Sequence, residues 1–250
     1  MEIKRLDDDT KQKLPWTAMV YCPAGQGKST LVGLSAENSK GKTLVLDIDR
    51  TIDRTIAKHE IVKDSSRMYT VKVDNIHTFK AWTDTLKELK TMKDAGELDF
   101  DIIAVDNISE LERCILSDLG SQGKNKGVPA MGDYQYMQFK LVNSLRFLKE
   151  LGVNIILTAW EDCGNFTMPD GTSYSRVVPK VSAKILDNIC GLCDVVGHIF
   201  VNKEGKHGVL LEATQNVYAK NQVDCRKACK VEDFSKFERP AESKEDKEVK

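Results

Sequence analysis

At 250 residues with 41% apolar side chains, the chain can build one α/β domain with a sizeable core, alone or with a small appendage. Its 37 Lys and Arg against 38 Asp and Glu leave a net charge of −1, which excludes bulk attraction to nucleic acid and leaves only local patches for such contacts. No apolar run reaches the roughly 18 residues of a membrane span, the opening Met1-Glu-Ile-Lys-Arg5 is charged where a secretory leader is apolar, and seven irregularly spaced cysteines read as reduced thiols in a cytosol.

Residues 1–15 are polar and charged and close on Pro15, a lead-in segment. Trp16–Cys22 is an apolar run of strand length, and Lys28–Glu37 is helix-forming. Between them runs Cys22-Pro-Ala-Gly-Gln-Gly-Lys-Ser-Thr30. Strand, glycine-bearing turn, Lys-Ser, then helix is the context of a P-loop, the Walker A motif. Gly25 and Gly27 lack Cβ atoms, so the backbone can take positive φ and turn successive N–H groups round a phosphate. The helix N-terminus adds partial positive charge. Lys28 brings a cation to the β- and γ-phosphates, and Ser29 brings a hydroxyl to Mg²⁺, which prefers hard oxygen ligands. Thr30 can bond an α-phosphate oxygen. The candidate ATP-binding residues are therefore Pro23, Ala24, Gly25, Gln26, Gly27, Lys28, Ser29 and Thr30. The usual pattern, G-x-x-x-x-G-K-[ST], has glycine where this chain has Cys22, and a cysteine fits there if it stays extended at the strand end.

Further along, Lys42–Asp49 is a second strand, whose continuous apolar run fits burial on both faces of a parallel sheet. It ends in Asp47 and Asp49, at the carboxyl edge where ligands bind in open α/β sheets. Met68–Val73 is predicted as a third strand and Ile76–Asp94 as an amphipathic helix. Phe100–Asp106 is another buried strand. An apolar run ending in an acid is the Walker B pattern, which places Asp106 near Ser29 to hold the Mg²⁺ water shell; the competing role is N-cap of the helix Ile108–Leu119. Gly120–Gly132 reads as a mobile loop, Tyr134–Glu150 as a helix and Gly152–Ala159 as a buried strand. Cys163–Pro179 carries Met-Pro-Asp-Gly at 168–171, a hairpin-turn signal. Lys180–Leu192 reads as a helix, Asp194–Val201 and Val209–Ala213 as a β-hairpin, and Arg239–Lys250 as a disordered charged tail.

The P-loop, the strand ending at Asp49 and the strand ending at Asp106 together resemble the RecA-like ATPase core. More closely, they resemble the single-domain phage and prophage RecA-like nucleotide-binding proteins of single-strand annealing and recombination. The resemblance covers residues 16–222; its most specific parts are Cys22–Thr30, Ile102–Asp106, Leu141–Leu151 and Asn154–Trp160, with Lys184–Ile189 and Cys193–Gly197 also familial. It implies a mostly parallel sheet flanked by helices over residues 16–238, with the hairpin as a C-terminal extension. It also implies that the second strand carries the carboxylate that orients the attacking water. By position this is Asp49, where the recombinases have Glu, with Asp47 the competing candidate. The polar sensor of the γ-phosphate falls on Thr158, Trp160 or Glu161. Residues 161–180, with Phe166, Tyr174, Arg176 and Lys180, match one DNA-facing loop, and Lys124 and Lys126 lie in the other; a plain surface hairpin is the alternative for the first. Tyr218-Ala-Lys220 resembles the segment that inserts a cation into a neighbour's ATP site, against the alternative of a solvated strand-end lysine.

The implied activity is a slow, DNA-stimulated Mg²⁺-dependent ATPase with Lys28, Asp49, Asp106 and a neighbour's Lys220 as catalytic residues. Its implied partners are single-stranded DNA, other copies of the chain in a ring or filament, and a single-strand DNA-binding protein; its setting is the host cytosol. A second reading is a nucleotide-dependent switch with little turnover, marked by Cys22 and Asp49. A small-molecule kinase would need several arginines in a lid, and residues 120–180 place only Arg176 in a loop. Cys190, Cys193, Cys225 and Cys229 have near-permissible zinc spacing, but Cys190 falls in a helical apolar pattern where cysteine acts as a small hydrophobe.

Overall fold

The computed structural model describes residues 14–58, 62–167 and 170–237. The charged tail, residues 1–13 of the lead-in and Met168-Pro169 of the expected hairpin turn lie outside them.

The continuous apolar runs become strands because alternate residues are needed on opposite faces. β1 (Thr17–Cys22), β2 (Thr43–Asp47) and β4 (Ile102–Asp106) are buried at every position. With β3 (Met68–Lys72), β5 (Asn154–Thr167) and β7 (Val195–Val201) they form a parallel set in the order β3-β2-β4-β5-β1-β7. β8 (His207–Leu210) and β10 (Ala228–Lys230) extend it antiparallel beyond β7, and β9 (Lys220–Asn221) pairs with β7. β6 (Ser173–Pro179) pairs with the outer half of β5. The architecture is α/β, with a mostly parallel central sheet flanked by helices.

On one face, Met19, Tyr21, Leu46, Ile103, Val105 and Leu157 pack against α3 (Thr78–Asp94), α4 (Ile108–Gln122), α5 (Met131–Glu150) and α6 (Ala183–Leu192), through Trp82, Leu111, Ile115, Met137, Leu141 and Ile189. On the other, Ala18, Val20, Val45, Ala104 and Ile156 pack against Leu31 and Val32 of α1 (Lys28–Asn38) and against Val231, Phe234 and Phe237 near the end of the described chain. A short helix, α2 (Ile52–Ala57), follows β2.

Three expectations need correction. The strand expected to end at Ala159 runs on to Thr167, because its outer half finds a partner in β6 and becomes one arm of a hairpin. The segment expected as a loop over 120–132 is shorter: α4 continues to Gln122 and α5 begins at Met131. Gly120 lies inside that helix, where a Cβ would stand 2.7 Å from the Gly127 carbonyl oxygen and 2.9 Å from the Pro129 nitrogen. The missing side chain is what lets the connection fold back onto α4. Third, α2, β9 and β10 carry no periodic signal and were not anticipated.

Candidate functional site

β1 delivers the chain to the carboxyl edge of the sheet, and the turn from Pro23 to Gly27 sends it back as α1. Gly25 has φ +80° and Gly27 φ +100°, the left-handed region where a side chain is strained. Gly27 occupies the N-cap of α1 with no side-chain cap, and no acid lies in the first turn. The Leu31 N–H bonds the Gly27 carbonyl at 2.9 Å, so the earlier N–H groups of the turn stand at a bare helix N-terminus. Cys22 stays in the strand, fully buried and paired with Trp160, which is how this chain does without the usual first glycine. Burial raises its thiol to about 11.

Lys28 is buried at 7% exposure, and its ammonium donates to the carbonyls of Cys22 (3.1 Å) and Pro23 (3.0 Å). The Ser29 hydroxyl donates to Asp106 Oδ2 at 2.6 Å. Asp106 lies at the end of β4, 77 positions along the chain, and the fold brings the two together. The Thr158 hydroxyl, fully buried on β5, donates to the other oxygen, Asp106 Oδ1, at 2.5 Å. The N-cap role considered for Asp106 belongs instead to Asn107, whose Oδ1 accepts from the Glu110 N–H at 2.8 Å. Asp106 is thereby free to face the P-loop.

The two acids of β2 differ. Asp47 is fully buried and accepts from the Thr51 N–H at 3.3 Å; its other oxygen has no partner among the described residues, and burial raises its pKa. Asp49 lies just past the strand, with the amide of Asn107 donating to its carboxylate. Burial, and then the charges of Asp106 and Glu110, push the Asp49 carboxyl up to about 7.

The three sensor candidates separate. Thr158 turns onto Asp106. Trp160 donates its backbone N–H to Ser109 Oγ at 2.9 Å and lies under the Arg113 guanidinium, 5.5 Å from its ring centroid. Glu161 pairs with His198 Nε2 at 2.7 Å, on the far side of β1. In the β5–β6 hairpin, Phe166 and Tyr174 stack at 5.6 Å, Arg176 donates to the Thr214 carbonyl at 2.8 Å, and Lys180 is exposed. Lys124 and Lys126 are exposed in the α4–α5 connection.

Lys220 is not brought to the P-loop. Its ammonium donates to the carbonyls of Cys193 (2.7 Å), Gly191 (3.2 Å) and Cys190 (3.4 Å), capping the C-terminus of α6. Of the four spaced cysteines, Cys190 and Cys193 are buried and Cys225 is exposed; among the described residues no three His, Cys, Asp or Glu side chains gather in a metal-holding group.

Two site residues had escaped the sequence. Asn107 had a signal, an amide directly after the strand-ending acid and before a helical run. His207 had none: its Nδ1 lies 3.2 Å from the Gln26 carbonyl oxygen, a contact made when the β7–β8 turn folds over the P-loop. Beneath that turn opens a cavity of about 630 Å³, lined by Gly25, Gly27, Thr30 and Leu34, by Lys58, by Gly205, Lys206 and His207, and by Lys230, Val231 and Glu232.

The cradle fits a triphosphate with Mg²⁺. Among the described residues a Cβ placed on Gly25 would meet nothing within 4 Å, whereas one on Gly27 would stand 3.5 Å from His207 Nδ1, so the turn is open at Gly25 and overhung by His207 at Gly27; the groups offered are amides, an ammonium and the hard oxygens of Ser29 and Asp106.

A family model described as AAA domain matches residues 14–223. No curated protein matches the chain. Among solved structures, a RadB recombinase is similar at 14% identity and a TM-score of 0.47, covering 82% of this chain and 84% of that one. A prototypical ATPase from the type III secretion system of pathogenic bacteria is similar at 17% identity and a TM-score of 0.46, covering 76% of this chain and 53% of that one. Among the described residues no helix is long and apolar enough to cross a membrane.

Proposed function

The chain belongs to the AAA domain family, matched over residues 14–223, and on that footing we propose that it is a Mg²⁺-dependent ATPase acting on single-stranded DNA in recombination or annealing of the phage type. The observation that carries the nucleotide part is the 2.6 Å contact between Ser29 and Asp106 at the mouth of an open glycine turn.

The turn from Gly25 to Thr30 binds the phosphates through its N–H groups and the α1 N-terminus, and Lys28 supplies the cation. Ser29 and Asp106 would hold Mg²⁺, and Thr158 fixes the Asp106 carboxylate from behind. When bound, the ion neutralises phosphate charge and polarises the phosphoryl oxygens. Asp49 orients the attacking water. The cavity under the β7–β8 turn takes the base and ribose.

DNA contact belongs to the β5–β6 hairpin and the Lys124–Lys126 connection, where aromatic faces and cations stand together. The active form is an assembly of copies in a ring or filament, loaded with help from a single-strand DNA-binding protein. Lys220 could serve a neighbour's site only by leaving three carbonyls of its own chain. The seven free thiols fit a reducing cytosol. One contact favours the second reading, a nucleotide switch with little turnover: the Asn107 amide already occupies the Asp49 carboxylate.

ATP hydrolysis measured with and without single-stranded DNA tests both. Turnover that DNA stimulates and Lys28→Ala abolishes supports the first; tight ATP binding without turnover replaces it with the second.

A further inference from the structure

The outer face of α5 is unlike a solvated helix surface. Buried positions Met137, Leu141, Ser144 and Leu148 mark the inner face. Opposite them, Gly132, Gln135, Tyr136, Phe139, Asn143 and Arg146 are all exposed. Phe139 is 70% exposed, Tyr136 is 56% exposed, and Met131 at the helix start is 74% exposed. Aromatic and apolar side chains so open to water on one face mark an interaction surface.

Charge says which kind. Within α5 the only acids are Asp133 and Glu150. Asp133 is spent on the helix start, accepting from the Ala130 N–H at 2.7 Å, and Glu150 is the last helical residue. Cations lie along the same helix and its approach: Arg146 lies seven positions beyond Phe139 on the same face and donates to Asn143 Oδ1 at 2.9 Å, Lys124 and Lys126 stand in the connection that leads into the helix, and Lys140 sits 5.3 Å from the ring centroid of Phe79. Phe79, on α3, in turn stacks on Tyr136 at 5.1 Å with the ring planes 28° apart, which holds Tyr136 in place. One fixed ring and one open ring, with amides and cations beside them and the acids of α5 confined to its two ends, match the chemistry of unpaired bases on a phosphate backbone.

We infer that the exposed face of α5, built on Tyr136 and Phe139 and flanked by Arg146, Lys124 and Lys126, is a stacking platform for single-stranded DNA. This rests on the DNA-acting function proposed above and adds a binding surface beyond its two loops.

The test is fluorescence anisotropy of a labelled oligothymidine with the full chain, across a salt series, with and without ATP and Mg²⁺. Phe139→Ala and Tyr136→Ala are expected to weaken binding by about 5- to 100-fold each, as loss of one stacked base does, with the salt slope kept. Phe139→Trp is expected to restore it. Arg146→Ala is expected to lower the salt slope by about 1. Phe139 is exposed, so its variants keep the fold, which circular dichroism checks. If the unaltered chain binds the oligomer and Phe139→Ala and Tyr136→Ala bind it equally well, this inference falls and the DNA function stands. If the unaltered chain does not bind, the DNA function falls and takes this with it. If Phe139→Ala leaves DNA affinity intact but changes self-association in sedimentation, the face is a contact between copies and the inference is wrong.

Discussion

Replacing Thr158 by valine keeps the side-chain shape and deletes one hydroxyl. That hydroxyl is fully buried and donates to Asp106 Oδ1 at 2.5 Å, while Ser29 serves Oδ2. A hydrogen bond to a charged acceptor is worth about 1.5–3 kcal/mol, and the new buried methyl returns about 0.8 kcal/mol, so Thr158→Val should cost about 1–2 kcal/mol of folding stability. The larger effect falls on the site. Without its rear contact the Asp106 carboxylate is free to swing, and losing such support for a metal-holding group costs about 10- to 100-fold in metal affinity or turnover. Urea unfolding reads the first quantity, and the Mg²⁺ concentration that half-saturates ATP turnover reads the second. Thr158→Ser, which keeps a hydroxyl, should recover most of both. A valine variant with the Mg²⁺ requirement of the unaltered chain would refute the role given to Thr158.

Two further substitutions bear on the site and its surroundings. Asp49→Asn concerns a carboxyl raised from 3.8 to about 7, mainly by burial. An acid with a raised pKa opposes folding when ionised, so its penalty is complete above about pH 7, shrinks as pH falls, and is gone below about pH 4. In chelator-treated protein the asparagine variant should therefore gain about 2 kcal/mol at pH 8, after discounting for solvent screening, and nothing at pH 4, while losing ATP turnover. A stability difference that does not change with pH would count against this. Lys220→Met removes the cation from three carbonyls at the end of α6 and should lower the unfolding free energy read from urea titration by about 1–2 kcal/mol with turnover per active site unchanged. The opposite pattern, a loss of turnover near the 10³-fold of a missing cationic finger with stability kept, would place Lys220 in a neighbour's active site.

Much of this was legible in the residues. A strand buried on both faces must be apolar throughout, so Val45-Leu46 and Ile103-Ala104-Val105 declared themselves, and an acid ending such a run can only lie at a sheet edge. Gly25 and Gly27 announced positive φ because little else in that turn tolerates it. What stayed hidden depends on partners far off in the chain. Nothing local tells that Thr158 points at an acid 52 residues earlier, since a threonine in an apolar strand reads the same whether or not its hydroxyl has a customer. The outer half of β5 is polar and irregular, and only the register with β6 makes it a strand. From sequence Lys220 resembles a cation offered to a neighbour's site or a solvated strand-end lysine; its use as a cap depends on where α6 happens to stop. On α5 the inner face at Met137 and Leu141 obeyed the periodicity, whereas the outward Phe139 gave no sign of its exposure, because an apolar residue off the stripe is read as noise until the helix is placed.

The length of β5 has a mechanical consequence. It is a single strand of 14 residues that starts inside the sheet, passes Thr158 and ends at the tip of the hairpin arm. From Thr158 to Thr167 is about 30 Å of extended backbone at 3.3 Å per residue. Over the arm it is braced by pairing with β6, and at Gly164, the one residue in the stretch without a side chain, the Phe166 ring lies where a Cβ would be, 2.8 Å away. The arm is thus a cantilever rooted under the carboxylate that faces the P-loop. A tilt at the root is carried along paired backbone toward the tip, so the geometry beside Asp106 and the position of the hairpin end are mechanically linked.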